Sequence, residues 1–496
     1  MTTFTFHGGA GEIGGNMLLI DSPGSRFFLD FGMSFKRHGE YFSEFLQPRT
    51  SNALGDFLNL DLIPDIEGLY RNDFLSHNKM KTSEEPAFDG ILISHAHLDH
   101  LGYVNLLHEK AHVYASSVTK GIAEALDELG SGSKDDFVKT TKSFSYYENK
   151  KGEISRIRNC RDPEIKYSQR EYPLTVDRGE FEVGSASVQI FPVDHSIIGA
   201  SGFIAHAGGR SIGYTGDFRN HGSRPELTRA FVENMASSDL DILFIEGTNI
   251  DEEKGMSETD VGNEISRLIT EAEGRHVFAS FPVRDTFRLL SFYTAARNAG
   301  RKLAVNFRQA FLLDKLDSNK ALERGKDIIP SHDEGLSVYI KKREYGLIGE
   351  DVEEEEKARD YDKKERPYVG IDNQICWKDV RDNPGEYVLF LDNYSVQELV
   401  DIQPVEGSIY IKSQCEPFDA EMELDWGRIE NWLDRFGLQV KRAHASGHMS
   451  GGEIAEVIKT IEPKLVVPMH TQRPVLFSDL CDCEVLIPEK GKSYEF

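Results

Sequence analysis

Gly90-Ile-Leu-Ile-Ser-His95-Ala-His97-Leu-Asp99-His100-Leu-Gly102 decides the reading of this chain. It opens on an unbroken apolar run after a glycine, the pattern of a strand buried on both faces. It then places four potential metal ligands in six residues, on the loop that leaves that strand. Such a loop aims alternate side chains at one point and sets the others beside it. Imidazole together with carboxylate suits zinc or another divalent transition metal, and both on one loop point to two neighbouring ions. The bland alternative, a polar loop with chance histidines, is weakened by the residues downstream of it.

Three further ligand types each stand just after an apolar run: His195 in FPVDHS, Asp217 in SIGYTGDF and His470 in LVVPMH. Strand ends at one edge of a sheet converge, so residues far apart in sequence meet there. Upstream, FTFHGGAGEIGGNMLLID reads as strand, glycine turn and strand, with GGAGEIGGN at residues 8–16 able to pass close to a site. From Ser257 the pattern changes to helices alternating with buried strands (HVFASF, KLAVNF, EYVLFLD, GSIYIKS), which predicts a parallel α/β unit. The helix at DWGRIENWLDRFG closes on Gly437, and QVKRAHASGHMSGG begins a last strand-loop-helix passage. Residues 33–86 read as a loop-rich stretch with apolar islands, and residues 133–173 as a polar surface insertion, partly hairpin.

With 496 residues, two or three domains are expected. No apolar run approaches the roughly 18 residues a membrane helix needs, and the N-terminus lacks the basic start and apolar stretch of a signal peptide, so a cytoplasmic protein is expected. Five scattered cysteines argue against a disulfide framework, and the Cys481–Cys483 pair reads as reduced thiols rather than a soft-metal site. Glu353 to Glu356 read as a solvated acidic run. The net charge of −26 counts against a protein that coats nucleic acid nonspecifically, though arginines and bound cations can reverse the sign locally.

HAHLDH, the later histidine, the GDF aspartate and the late PMH resemble the metallo-β-lactamase superfamily over nearly the whole chain. That resemblance implies a four-layer αβ/βα sandwich holding two metals. It assigns His95, His97 and His195 to one ion, Asp99, His100 and His470 to the other, and Asp217 as the bridge. The stretch between Thr248 and Leu438, with Glu246 in FIEGT before it and His448 in ASGHMSGGE after it, resembles the inserted domain of the β-CASP nucleases. Domains are accordingly expected at 1–248, 249–438 (the insertion) and 439–496. GEIGGN, HSIIG, TGDF and HASGH look most like the ribonuclease J group. The resemblance implies 5′→3′ exoribonuclease activity, sometimes with endonucleolytic cutting; it leaves exo against endo mode and oligomeric state, a homodimer included, open. The chain ends soon after His470, so the extra C-terminal domain of many bacterial members is expected to be missing.

The chemistry expected of these parts is hydrolysis of a phosphodiester bond. Two cations about 3.5–4 Å apart activate a water and neutralise phosphoryl charge. Asp99 belongs to the reacting centre, His448 would stabilise charge or protonate the leaving oxygen, and Glu246 would orient His448. Zinc is favoured by three imidazoles on one ion, with manganese the alternative. His444, Ser446 and Gly447, on the His448 loop, and Ser413 are candidate phosphate contacts. Arg284 and Arg288, one helical turn apart, would meet RNA phosphates or pair with the chain's own carboxylates. The expected substrate is single-stranded RNA with a 5′-monophosphate, and RNA over DNA rests on the resemblance alone. A small-molecule ester or thioester hydrolase of the same fold and a DNA nuclease of the same group are the rival readings.

Overall fold

The computed structural model describes residues 1–496 apart from 44, 50–51, 131–135, 142–143, 153, 159–166, 170–178, 319–329, 331–334 and 416–419. Cys160 and much of the 133–173 insertion lie outside the described residues. Within that insertion, Phe144–Glu148 and Ile154–Arg158 pair as an antiparallel hairpin.

Two mixed sheets form the heart of the chain. In the six-stranded sheet the order is Ser493–Glu495, Thr3–Gly8, Met17–Ser22, Ser25–Leu29, Gly90–Leu92 and Val113–Tyr114. In the seven-stranded sheet it is Gly179–Val183, Ala186–Pro192, Ser201–Ala207, Arg210–Tyr214, Ile242–Glu246, Leu465–Met469 and Glu484–Val485. Alternate residues of the two sheets pack face to face: Phe4, Ile20 and Phe27 from one meet Val188, Phe203 and Phe244 from the other. The Phe4 and Phe244 rings stand edge to face at 5.0 Å, and full burial of each such side chain contributes about 1.5–3 kcal/mol.

The opposite faces are covered by helices. Met17, Leu19 and Phe28 pack under Ala53–Asn59, Asn72–His77 and Ser117–Leu129. Ile204, Leu243 and Ile245 pack under Pro225–Ala236 and Gly451–Ile461. The result is the four-layer αβ/βα sandwich of the metallo-β-lactamase fold. The stretch read as loop-rich, residues 33–86, supplies part of the outer helical layer. Its apolar islands Leu54, Phe57, Leu62 and Ile63 are buried, and helices of only six or seven residues are too short to show a clear period.

A third sheet of seven strands is wholly parallel, in the order Gln374–Ile375, Leu336–Tyr339, Lys302–Asn306, Tyr387–Phe390, Val277–Ser280, Ile409–Lys412 and Gln439–Arg442. It corresponds to the helix-strand alternation read after Ser257. Its last strand lies past residue 438, where the sequence reading ends the insertion. That strand is short and half-exposed, so its alternation does not announce which sheet it joins. Phe287, Leu312 and Leu316 from this unit pack against Phe137, Ile197 and Ile198 of the sandwich. Among the described residues no helix is long and apolar enough to cross a membrane.

Candidate metal centre

Gly90–Leu92 ends in a loop, His97 stands at the start of the helix Leu98–Leu101, and the loop is held by backbone pairing with two glycine-bearing segments. Asn16 N–H donates to the Asp99 carbonyl at 2.9 Å and Phe31 N–H to that of His100 at 2.8 Å. A Cβ on Gly32 would fall 1.6 Å from the Asp99 carbonyl oxygen, and one on Gly14 2.9 Å from Asp99 Cβ. Close approach to Asp99, by its backbone at Gly32 and by its side chain at Gly14, is thus the reason for glycine at both positions, and Gly14 also carries a φ of +77°.

The structure brings His95, His97, Asp99, His100, His195, Asp217 and His470 together at the sheet edge. The ligand atoms of His95, His97 and His195 lie within 4.8 Å of one another, as do those of Asp99, His100 and His470. Between the two sets stands Asp217. Its Oδ2 is 3.1 Å from His100 Nε2, 3.7 Å from His95 Nε2 and His470 Nε2, and 3.9 Å from His195 Nε2. In the first set, His97 Nδ1 is 3.0 Å from His95 Nε2 and 3.2 Å from His195 Nε2.

Hydrogen bonds behind the rings settle which nitrogen faces inward. His195 Nδ1–H donates to the Gly447 carbonyl at 2.7 Å. Ser94 Oγ gives its proton to Asp30 Oδ2 at 2.7 Å, so it accepts from His95 Nδ1–H at 2.9 Å. Asp30 Oδ2 also takes His100 Nδ1–H at 2.7 Å. Thr248 Oγ1 donates to the His470 carbonyl and accepts from its Nδ1–H at 2.8 Å. Each of these four rings therefore turns an Nε2 lone pair to the centre, the arrangement that outer partners impose on metal-binding histidines. His100 Nε2 and Asp217 Oδ1 are buried without a hydrogen-bond partner, a costly state for polar atoms unless a cation meets them. This donor set fits divalent metal.

Charge in the cluster tells the same story. Burial, helped by the neighbouring imidazoles His100, His97 and His195, holds His95 well below the usual histidine range. Burial and the nearby Arg284 bring His97 down to about 3. At His100 burial opposes protonation, yet Asp217, Asp30 and Asp99 together draw its pKa well up. Three carboxylates around one imidazole call for positive charge at that spot.

Asp30 and Thr248 were not singled out in the sequence. Asp30 is fully buried, has a φ of 58°, and accepts from Ser94, His100 and Tyr214. The available signal was an aspartate closing the apolar run FFLDFG. The late histidine, His470, also has a left-handed φ of 51°, a strained conformation for a residue other than glycine.

Glu246 ends the strand Ile242–Glu246 fully buried, and its Oε1 accepts from His448 Nδ1 at 3.1 Å. His448 Nδ1 is also 3.9 Å from Asp217 Oδ2, and a fifth of its side chain stays exposed. Burial works against charge on His448, but Glu246 and Asp217 overcome it and lift its pKa to about 9.

Comparison with known proteins finds ribonuclease J proteins similar to most of this chain. Ribonuclease J of Helicobacter pylori is 23% identical over 476 residues, covering 93% of this chain and 55% of that protein. Ribonuclease J 2 of Streptococcus pyogenes is 23% identical over 506 residues, covering 98% of this chain and 71% of that protein. The chain is ribonuclease J-like. It spans about half the length of the Helicobacter pylori relatives it matches. The Bacillus subtilis ribonuclease J2 is 24% identical across 93% of this chain and 68% of its own length. A solved protein of unknown function from Enterococcus faecalis has a TM-score of 0.71 with 23% identity and covers 99% of each chain, which shows the fold. No family model matches.

In this ribonuclease J-like chain the candidate phosphate contacts divide. Arg288 is fully buried and binds Glu258 Oε1 at 2.7 Å, Ser413 Oγ at 2.6 Å and the Ala445 carbonyl at 3.3 Å. Ser413 is fully buried too, its hydroxyl held between Arg288 and the Ala443 carbonyl. These two are therefore braces, not surface contacts. Burial in a charged network, invisible in a helix-spacing pattern, is the reason. Arg219, also missed in the sequence, completes the network, binding Asp194, Glu258 and the Ser446 carbonyl at 3.0–3.2 Å. Ser446 Oγ accepts from Asn249 Nδ2 at 2.7 Å, and Gly447 orients His195 through its carbonyl. His444 is half-buried against Arg288, and burial followed by that guanidinium brings its pKa down to about 4. Arg284 differs: half-buried, it donates to the Ala96 carbonyl at 2.9 Å and makes no ion pair among the described residues. Cys481 and Cys483 join no group of candidate metal ligands among the described residues.

Proposed function

We propose that this chain is a metal-dependent ribonuclease that hydrolyses phosphodiester bonds of single-stranded RNA. Its main mode is 5′→3′ exonucleolytic on 5′-monophosphorylated ends, with endonucleolytic cutting as a second mode, and it works in the cytoplasm. The observation that carries this reading is the gathering of His95, His97, Asp99, His100, His195 and His470 around Asp217, next to a histidine held by a buried glutamate. Likeness to ribonuclease J proteins over nearly the whole chain supports RNA as the substrate.

In this reading His95, His97 and His195 hold one divalent ion, Asp99, His100 and His470 the other, and Asp217 both. Zinc suits the imidazole-rich first set and manganese is the alternative. When bound, the pair supplies an activated water at neutral pH and neutralises charge on the scissile phosphate. Asp30 holds His95, through Ser94, and His100 in the productive tautomer. Glu246 fixes the proton of His448 on Nδ1 and leaves Nε2 to serve the leaving oxygen. Arg284 meets a substrate phosphate beside His97, and the exposed part of the His444–His448 loop lines the same approach.

The test is product analysis on RNAs carrying a 5′-monophosphate, 5′-triphosphate or 5′-hydroxyl, with zinc or manganese supplied. Mononucleotides released from the monophosphate form are expected. Equal cleavage of a chromogenic ester with no RNA product, or RNA cleavage surviving complete removal of metal, would overturn the assignment. Sedimentation of the intact protein decides whether it works as a homodimer.

A further inference from the structure

We propose that a cavity in the inserted sheet, separate from the metal centre, binds a nucleotide through its base, ribose and phosphate. The cavity has a volume of about 310 Å³, within the range of small-ligand sites. It opens at the carboxyl ends of Lys302–Asn306 and Tyr387–Phe390, which are neighbours in the parallel sheet. The chain leaving the first strand goes to Leu336–Tyr339 on one side; the chain leaving the second goes to Ile409–Lys412, beyond Val277–Ser280 on the other. Diverging connections open a crevice above the strand ends, the place where doubly wound sheets bind their ligands.

The lining is suited to an anion bearing a ring. The helix Phe307–Ser318 starts at the cavity. Asn306 Oδ1 caps it by accepting from Gln309 N–H at 2.9 Å, so its positive end faces the space. Arg308, Lys341 and Arg343 line the cavity against only Glu365 and Asp392, a locally cationic spot in a chain of net charge −26. Arg308 is exposed and makes no ion pair among the described residues.

Tyr339, Tyr361 and Phe390 form walls, and Tyr394, 76% exposed, stands at the mouth. The Tyr339 and Tyr361 hydroxyls are already engaged by Glu398 Oε2 and the Lys341 carbonyl, so these residues contribute carbon surface for a base. Glu365 is 3% exposed; its Oε1 binds Arg343, while its Oε2 and Arg343 Nε are buried with no partner. An orphan acceptor beside an orphan donor fits a group that both donates and accepts, as a ribose hydroxyl does.

Loops that leave the other half of the same sheet edge reach the metal centre: Arg284 lies beside His97, and His448 Nδ1 is 3.9 Å from Asp217 Oδ2. Arg284, Ser413 and His444 follow Val277–Ser280, Ile409–Lys412 and Gln439–Arg442. The cavity shares no residue with the metal ligands, so the proposal stands whether or not the chain cuts RNA.

The experiment is calorimetric titration of the full chain with 5′-AMP, 5′-UMP and inorganic phosphate in EDTA, where metal-held phosphate is lost. Saturable binding of the nucleotides, tighter than phosphate, is expected. The double variant Arg308→Glu/Tyr394→Ala, at two exposed positions, should weaken it about tenfold or more with an unchanged melting temperature. Asp99→Asn should leave it intact. Displacement of bound nucleotide by a long single-stranded RNA would mark the occupant as a nucleotide of that chain; resistance to displacement would mark it as a free nucleotide. No saturable binding, or binding lost in Asp99→Asn and kept in the double variant, would overturn the proposal.

Discussion

The His95–His100 loop and the His444–His448 loop both carry imidazoles to the same centre, and they are built in opposite ways. The first leaves a buried strand and is held by backbone bonds to residues 16, 31 and 33, with Asp30 as the anchor of its rings. The second leaves an edge strand of the inserted sheet and is held from outside itself. Arg219 and His221 grip the Ser446 carbonyl, Arg288 the Ala445 carbonyl, Asn249 the Ser446 hydroxyl and Glu246 the His448 ring. The first loop is thus a local device and the second a joint between the sandwich and the parallel sheet. Damage to the first should therefore empty the centre, whereas damage to the second should leave metal bound and remove activity.

Asp217→Ala removes the oxygen shared by both ligand sets. Hydrolysis is expected to fall by a factor on the order of 10⁴, with bound metal, measured by mass spectrometry of the purified protein, falling from two ions to one or none. Two ions retained at full occupancy would break the comparison at its first half. His448→Ala should lower kcat by about 10³ while both ions remain, since His448 belongs to the joint. Loss of metal in this variant would erase the distinction between the loops.

Arg288→Met tests the joint from behind. It leaves Glu258 buried with Arg219 as its one cationic partner among the described residues, and removing one partner of a buried ion pair costs about 3–5 kcal/mol. Urea unfolding should show that loss, and a change under about 1 kcal/mol would mean the network does not brace the loop. Asp30→Asn keeps the volume of the first loop's anchor but removes its charge. Metal affinity, read by competition with a chelator, should weaken about 10- to 100-fold, and an unchanged affinity would remove Asp30 from that role. The smallest effect is expected from Arg284→Ala, a rise in KM for RNA of roughly tenfold with kcat nearly kept.

The difference between the loops also explains what could be read beforehand. The candidate ligands His95, His97, Asp99, His100, His195, Asp217 and His470 come after apolar strands, so period and punctuation expose them. Their anchors do not share that pattern. Asp30 looks like a strand-end carboxylate and Thr248 like a turn residue, and only the third dimension puts them behind His100 and His470. Arg284 and Arg288 have the same helical spacing and charge, yet one lies half-exposed beside His97 and the other is fully buried against Glu258. The end of the inserted sheet is missed for a related reason: Gln439–Arg442 is a short half-exposed strand whose partner, Ile409–Lys412, is about thirty residues away.

Taken alone, the order of residues determined the layered α/β architecture, the parallel unit within it and the donor types that meet at the sheet edge. Strand burial and ligand chemistry are properties of short segments, so they are written locally. Folding decided which nitrogen each histidine turns inward, which arginine is left beside His97 and which is consumed in a brace, and where a crevice opens between diverging strands. Those outcomes depend on burial and on partners distant in the chain, and a buried charge takes whatever opposite charge the fold sets beside it.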